Sequence, residues 1–215
     1  MRGPGRIVEI GSFRGRSTIV LRQAAAPDVE VVAIDPHGGG DRGPQQISPD
    51  VALGEADHDA FHANLRRAGV DRGVRHLRRM SQDALDAVEG ELALLYVDGA
   101  HRYGPARADI ERWGERVAPG GTMLVHDAYN AVGVMLAQLR LLFLSPEWRY
   151  VGRSRSLAEY RREELGGAGR LRNAAAQLAG IPWFVRNCLI KVALVARLRP
   201  VARRLGLPDE DDWPY

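Results

Sequence analysis

The feature that most constrains the fold is an alternation running from residue 6 to about residue 145. Short apolar runs at Ile7–Ile10, Val29–Ile34, Val74–Leu77, Leu92–Val97 and Thr122–Val125 each precede a stretch with helical spacing. β-Branched and aliphatic residues dominate these runs, as buried strands require. Leu92–Val97 is nearly all apolar, which predicts a central strand covered on both faces. Such an alternation is satisfied by a parallel sheet with right-handed crossovers and helices on both sides. The final extended pair, Trp148–Gly152 and Ser156–Tyr160, is too closely spaced for a crossover helix, so one member is expected antiparallel. The reading is therefore an α/β, doubly wound, seven-stranded and mostly parallel sheet. One antiparallel strand lies near the C-terminal edge, and a helical C-terminal extension follows.

The first run leads straight into Glu9-Ile10-Gly11-Ser12-Phe13-Arg14-Gly15-Arg16-Ser17-Thr18. Glycine at 11 and 15 permits positive φ and a close approach of backbone to ligand. The helix expected near Ser17 offers free N–H groups and a positive dipole end. In sheets of this kind, ligands bind beyond the carboxyl ends of strands, where strand order reverses. Gly11, Asp35, Asp98 and His126-Asp127 all follow strand runs, so they converge there. A dinucleotide turn wants Gly-x-Gly-x-x-Gly, and this turn has no glycine at 13 or 16. A triphosphate loop wants a Gly-Lys-Ser/Thr ending, yet the only lysine in the chain is Lys191. What remains is Glu-x-Gly-x-x-x-Gly with an acid, Asp35, ending the next strand. Asp35 can accept from two ribose hydroxyls, which suits a nucleoside without phosphates, such as S-adenosylmethionine.

With those residues in view, positions 6–160 resemble a class I S-adenosylmethionine-dependent methyltransferase of Rossmann-like fold. The closest branch is that of macrocin- and cephalosporin-type O-methyltransferase relatives. The motifs that carry the resemblance are Glu9-Ile10-Gly11, Gly15-Arg16-Ser17, Ile34-Asp35-Pro36, Val97-Asp98-Gly99-Ala100-His101-Arg102-Tyr103, Pro119-Gly120-Gly121 and His126-Asp127. The resemblance implies that Gly11, Ser12, Gly15 and Ser17 line the methionine end of the cofactor, with Glu9 nearby. It places Asp35 on the ribose, Ser81 and Gln82 beside the adenine, and Asp98 near the cofactor amine.

Methyl transfer to a hydroxyl calls for a base near the acceptor, and His101, three residues past a strand end, is suited to that role. Asp98 and Asp127 can bind a hard cation through oxygen. Relatives that use magnesium carry two consecutive acids where this chain has His126-Asp127. A magnesium ion on Asp98, His126 and Asp127 is therefore an open alternative to plain cofactor binding and helix capping. His58 and His62 share a helix face in the manner of a zinc-protease motif. With Asp59 in place of glutamate and no third ligand evident, they read as solvated helix residues.

The net charge of +3 hides an asymmetry: Leu165–Pro208 holds eight basic residues and no acid, so the remainder sums to −5. The body is close to neutral, which argues against a nucleic-acid surface. The division expected is a cofactor-binding domain over 1–163 and a basic helical extension over 164–215. The extension's apolar face is expected to dock on the domain, pair with a second copy or lie on an anionic membrane. One cysteine, Cys188, no N-terminal signal pattern and no uncharged run of about 20 apolar residues point to the cytoplasm, with peripheral membrane contact as the variant. The function expected is O-methylation of a small hydroxylated acceptor such as a sugar, glycolipid or polyketide-type metabolite. A non-catalytic binding or scaffold protein on the same fold is the rival.

Overall fold

The computed structural model describes residues 5–40 and 48–207. The elements, in chain order, are β1 (Arg6–Ile10), α1 (Arg16–Ala24), β2 (Val31–Ile34), α2 (Val51–Arg67), β3 (Val74–Leu77) and β4 (Leu92–Val97). They continue with α3 (Tyr103–Gly114), β5 (Val117–Val125), α4 (Val132–Leu141), β6 (Trp148–Ser154) and β7 (Leu157–Arg162). Three helices close the chain: α5 (Gly167–Leu178), α6 (Ile181–Val195) and α7 (Arg199–Arg204). Seven strands form one sheet in the order β3-β2-β1-β4-β5-β7-β6. β7 runs antiparallel to both neighbours, so it alone opposes the sheet's direction.

The sequence logic of the helices is visible in their inward faces. Ala106, Ile110 and Trp113 of α3 recur at helical spacing and are buried against the sheet. Phe61 and Leu65 of α2, four residues apart, cover Ala33 on the opposite face. The main core joins Val8, Val32, Leu95 and Met123 of the strands to Trp113 and Met135 of the helices. Asp50 caps α2 by accepting from the Leu53 N–H at 3.0 Å, so this helix starts earlier than the apolar spacing suggests.

Two local expectations are corrected. Pro119-Gly120-Gly121, which by composition reads as the stop of the helix begun near Pro105, is an irregular stretch inside β5. Leu92 pairs with Val117 while Leu94 pairs with Thr122, so Ala118–Gly121 bulges out of the ladder. The segment after β3 makes two short 3-10 turns, Ser81–Asp83 and Leu85–Ala87, in place of a helix. Of the glycine-rich loop after β2, residues 41–47 lie outside the described residues, as does the acidic run Asp209–Asp212.

The C-terminal helices are attached by buried amides together with Ile181, Trp183 and Phe184, which pack against the main core. Asn173 accepts from the Tyr150 N–H at 2.6 Å and donates to the Leu142 and Trp148 carbonyls. Gln177 donates to the Leu142 carbonyl and accepts from the Tyr160 hydroxyl, which also accepts from Gln138. Asn187 donates to the Tyr129 carbonyl and Lys191 to the Asn130 carbonyl. A Cβ at Gly180 would meet the Tyr129 ring at 2.6 Å, so the junction between α5 and α6 needs glycine there. Meanwhile Leu171, Leu178, Val185, Leu189, Val192 and Val195 face outward. Gly167–Val195 is, among the described residues, the one helical stretch long and apolar enough to cross a membrane by length and composition.

Candidate functional site

Strand register puts the candidate residues in one row. Ile34, Ile10, Val97 and Val125 pair across β2, β1, β4 and β5. The next residue of each strand is Asp35, Gly11, Asp98 and His126. Backbone bonds extend the ladder by that step: Gly11 N–H to Ile34, Asp98 N–H to Ile10 and His126 N–H to Val97, at 2.8–2.9 Å. Strand order reverses between β1 and β4, so the crevice opens at Gly11 and Asp98.

Gly11 is required there for two reasons. Its φ is +85°, and a Cβ would sit 2.0 Å from the Asp98 carbonyl oxygen. Gly15, at φ +82°, caps α1. The loop between them is held by Asp35, whose two oxygens accept the Phe13 and His37 N–H groups, each at 2.7 Å. A carboxylate has about four acceptor positions, so Asp35 keeps capacity for ribose hydroxyls. Glu9 is fully buried and bonds to the Thr18 hydroxyl. Burial pushes its carboxyl up to about 7, against the pull of Ser17 and Thr18. Glu9 Oε1 and the buried Ser12 Oγ have no hydrogen-bond partner. Orphaned polar atoms beside a glycine turn packed directly on the Asp98 backbone are what a polar ligand's binding site presents. These residues fit a nucleoside-amino acid cofactor.

Beyond β4 and β5, two imidazoles and two carboxylates interlock. His126 Nδ1 lies 3.0 Å from Asp98 Oδ1, and His101 Nε2 lies 3.0 Å from Asp127 Oδ2. The cross distances, His101 to Asp98 and His126 to Asp127, are both 3.8 Å. Asp127 is buried in left-handed backbone at φ 52° and is steadied by Asn130 Nδ2 at 2.9 Å. Tyr96 stacks beside His126. Burial would raise the Asp98 carboxyl, but hydrogen bonds and charge from His101 and His126 hold it below its usual range. Burial likewise pushes the His126 ring down, and the Asp98 bond and charge win, raising it.

This donor set departs from a magnesium site. Magnesium favours an all-oxygen octahedron with several waters, whereas here two carboxylates are each engaged by an imidazole. No step below is routed through that ion.

Ser81 and Gln82 lie just past β3, but both side chains turn toward α3. Ser81 donates to Asp109 and Gln82 accepts from Arg112 at 3.3 Å. Asp109 was not apparent from sequence; it is buried, and burial pushes its carboxyl up to about 6. Thr18 and Asn130 were also missed. Thr18 directly follows Ser17 in the glycine-turn stretch, and Asn130 stands three residues past Asp127, the spacing of a turn that ties its own acid.

Residues 8–128 match a family model described as a methyltransferase domain. A curated relative, the uncharacterized protein y4gI of Sinorhizobium fredii (strain NBRC 101917 / NGR234), is 33% identical over 129 residues, 58% of this chain. The chain spans only 13% of that relative's length. Among solved structures, the O-methyltransferase NovP superposes with a TM-score of 0.56 at 23% identity, covering 75% of this chain and 73% of that one. The O-methyltransferase TomG from Streptomyces achromogenes, involved in tomaymycin synthesis and solved with S-adenosylmethionine, gives 0.50 at 20% identity, with coverages of 75% and 73%. At these identities the two structures establish the shared fold.

Proposed function

The chain belongs to the methyltransferase-domain family, and on that premise we propose that it transfers the methyl group of S-adenosylmethionine to a hydroxyl of a small metabolite, sugar or glycolipid. The observation that carries the choice of acceptor atom is the His101–Asp127 pair at 3.0 Å, beside the row of strand ends. A hydroxyl must lose its proton as it attacks, and an imidazole oriented by a buried carboxylate is built to take it.

When bound, the cofactor supplies an electrophilic methyl carbon on a sulfonium. Glu9, Gly11, Ser12, Gly15, Ser17 and Asp35 hold it, Asp35 on the ribose and Glu9 near the cationic end. Ser81 and Gln82 border the adenine through their turn's backbone. Asp127 keeps the proton on His101 Nε2, which leaves the Nδ1 lone pair to accept the acceptor's proton. With the cofactor so held, His101 would take the proton that the acceptor oxygen loses as it receives the methyl group. Asp98 stays ionised and holds His126 in its charged form toward neutral pH, so His126 is the poorer base of the two. The C-terminal helices, fastened at Tyr129 and Asn130, brace the turn that carries Asp127.

The reaction is tested by incubating the protein with methyl-labelled S-adenosylmethionine and fractionated small-molecule extract. Label is expected in a hydroxylated product and lost with His101→Ala. Cofactor binding with no acceptor labelled in any fraction would instead support the scaffold reading.

The outward aliphatic row on α5 and α6, set among eight basic residues, is the proposed contact with an anionic membrane or a second copy. Vesicle flotation and sedimentation of the full chain separate the two, and a monomer that fails to float would remove both.

A further inference from the structure

Four of the six histidines lie away from the β4–β5 site, packed ring against ring. His58 and His62 stand one turn apart on α2, with centroids 4.7 Å apart. β3 brings His76 alongside, 5.5 Å from His58 and 5.2 Å from His62. His37, just past β2, sits edge-on to His58 and His76. One ring nitrogen from each of His58, His62 and His76 can be chosen so that all three lie within 4.8 Å of one another. The third ligand that the helix motif lacks in sequence is thus supplied by a strand fourteen residues further on.

We propose that His58, His62 and His76 form a three-imidazole site for a divalent transition metal, of the zinc class, between α2 and β3. An all-nitrogen donor set excludes magnesium and calcium and suits zinc, with a fourth position left for water. Two independent features point to a ligand. His76 Nε2 is buried with no hydrogen-bond partner, while the Asp35 backbone hydrogen-bonds the same ring. That bond is the outer-shell contact that orients a metal-ligating histidine and fixes its tautomer. His37 is 4% exposed, and its Nδ1 is likewise without a partner at the cluster's edge.

The charge state agrees with this geometry. Burial, then the neighbouring imidazoles, push His76 down to about 4 and lower His62 as well. Both rings are therefore neutral at pH 7 and present lone pairs. Tetrahedral zinc needs nitrogens about 3.3 Å apart, so from a 4.8 Å spread the rings close by up to about 1.5 Å through side-chain rotation. No carboxylate is needed as a ligand, and of the methyl-transfer residues only the Asp35 backbone adjoins the site.

The test is titration of full-length, tag-free protein with cobalt(II) and then zinc. Expected is one equivalent per chain with the visible absorption of four-coordinate cobalt, displaced by zinc. A hundredfold excess of zinc over its Kd is expected to raise Tm by about 5–10 °C. His62→Gln and His76→Gln are each expected to weaken binding at least tenfold, while the double variant His101→Gln/His126→Gln retains it. Circular dichroism confirms that each variant is folded. In wild-type protein, zinc should shift the ring resonances of His58, His62 and His76, a readout needing no variant. No stoichiometric uptake at 100 μM (about tenfold above a weak 10 μM site), or binding lost only in the double variant, would overturn the site. Neither result bears on S-adenosylhomocysteine binding, which tests the methyl-transfer reading separately.

Discussion

All six histidines fall into two groups at the carboxyl edge of one sheet, and the groups behave oppositely. On the β4–β5 side, His101 and His126 each face a carboxylate at 3.0 Å. On the β2–β3 side, His37, His58, His62 and His76 face chiefly one another. The neighbours decide what the imidazole becomes. Asp98 holds the His126 ring above its usual value despite burial. Next to other imidazoles, burial is reinforced by their charge, outweighs the Asp35 backbone contact, and takes His76 down to about 4. One group is equipped to move protons; the other keeps lone pairs available.

The largest expected effect comes from closing the crevice on the first side only. Gly11→Ala places a Cβ against the Asp98 carbonyl in a backbone conformation alanine resists. Affinity for S-adenosylhomocysteine by calorimetry should fall by about 100-fold or more, or about 3 kcal/mol, while zinc binding on the other side persists. Next is the base: His101→Ala should lower kcat by about 10²–10³-fold with little change in cofactor KM, whereas His62→Gln should leave turnover unchanged. Equal losses in both variants would erase the distinction between the groups.

A smaller effect sharpens the electrostatics. Asp98→Asn removes the larger of the two charges that raise His126, so burial, opposed then by Asp127 alone, should lower that ring from its wild-type value, read by NMR titration. The smallest is in stability. For His76 the unfolded ring protonates near 6.5 and the folded one near 4. Its contribution is therefore complete above pH 6.5 and lost as pH falls toward 4. His126, raised when folded, contributes below 6.5 and loses that contribution as pH rises through its elevated value. Chemical denaturation of His76→Gln should show a pH slope shallower by about 1–2 kcal/mol between pH 6.5 and 4, discounted because the ring is partly exposed.

The sheet and the methyl-transfer row were legible because both rest on local signals. The four strands that carry the row, β1, β2, β4 and β5, each contain an apolar run, and Gly11, Asp35, Asp98 and His126 each directly follow one. The histidine site was illegible for the complementary reason. His58 and His62 are local partners on α2, but His76 reaches them only through the β2–β3 pairing, which no spacing rule encodes. The C-terminal helices were half legible. Their spacing predicted helices, yet amides at 173, 177 and 187 face the domain alongside Ile181, while most of the aliphatic residues face out. Hydrophobic periodicity alone assigns those two faces the other way round.

The most direct measurement is an NMR pH titration of all six histidine rings in the metal-free protein. The account predicts a split: His126 titrating above 6.5, His62 below it, and His76 near 4. Six rings titrating together near 6.5 would contradict it.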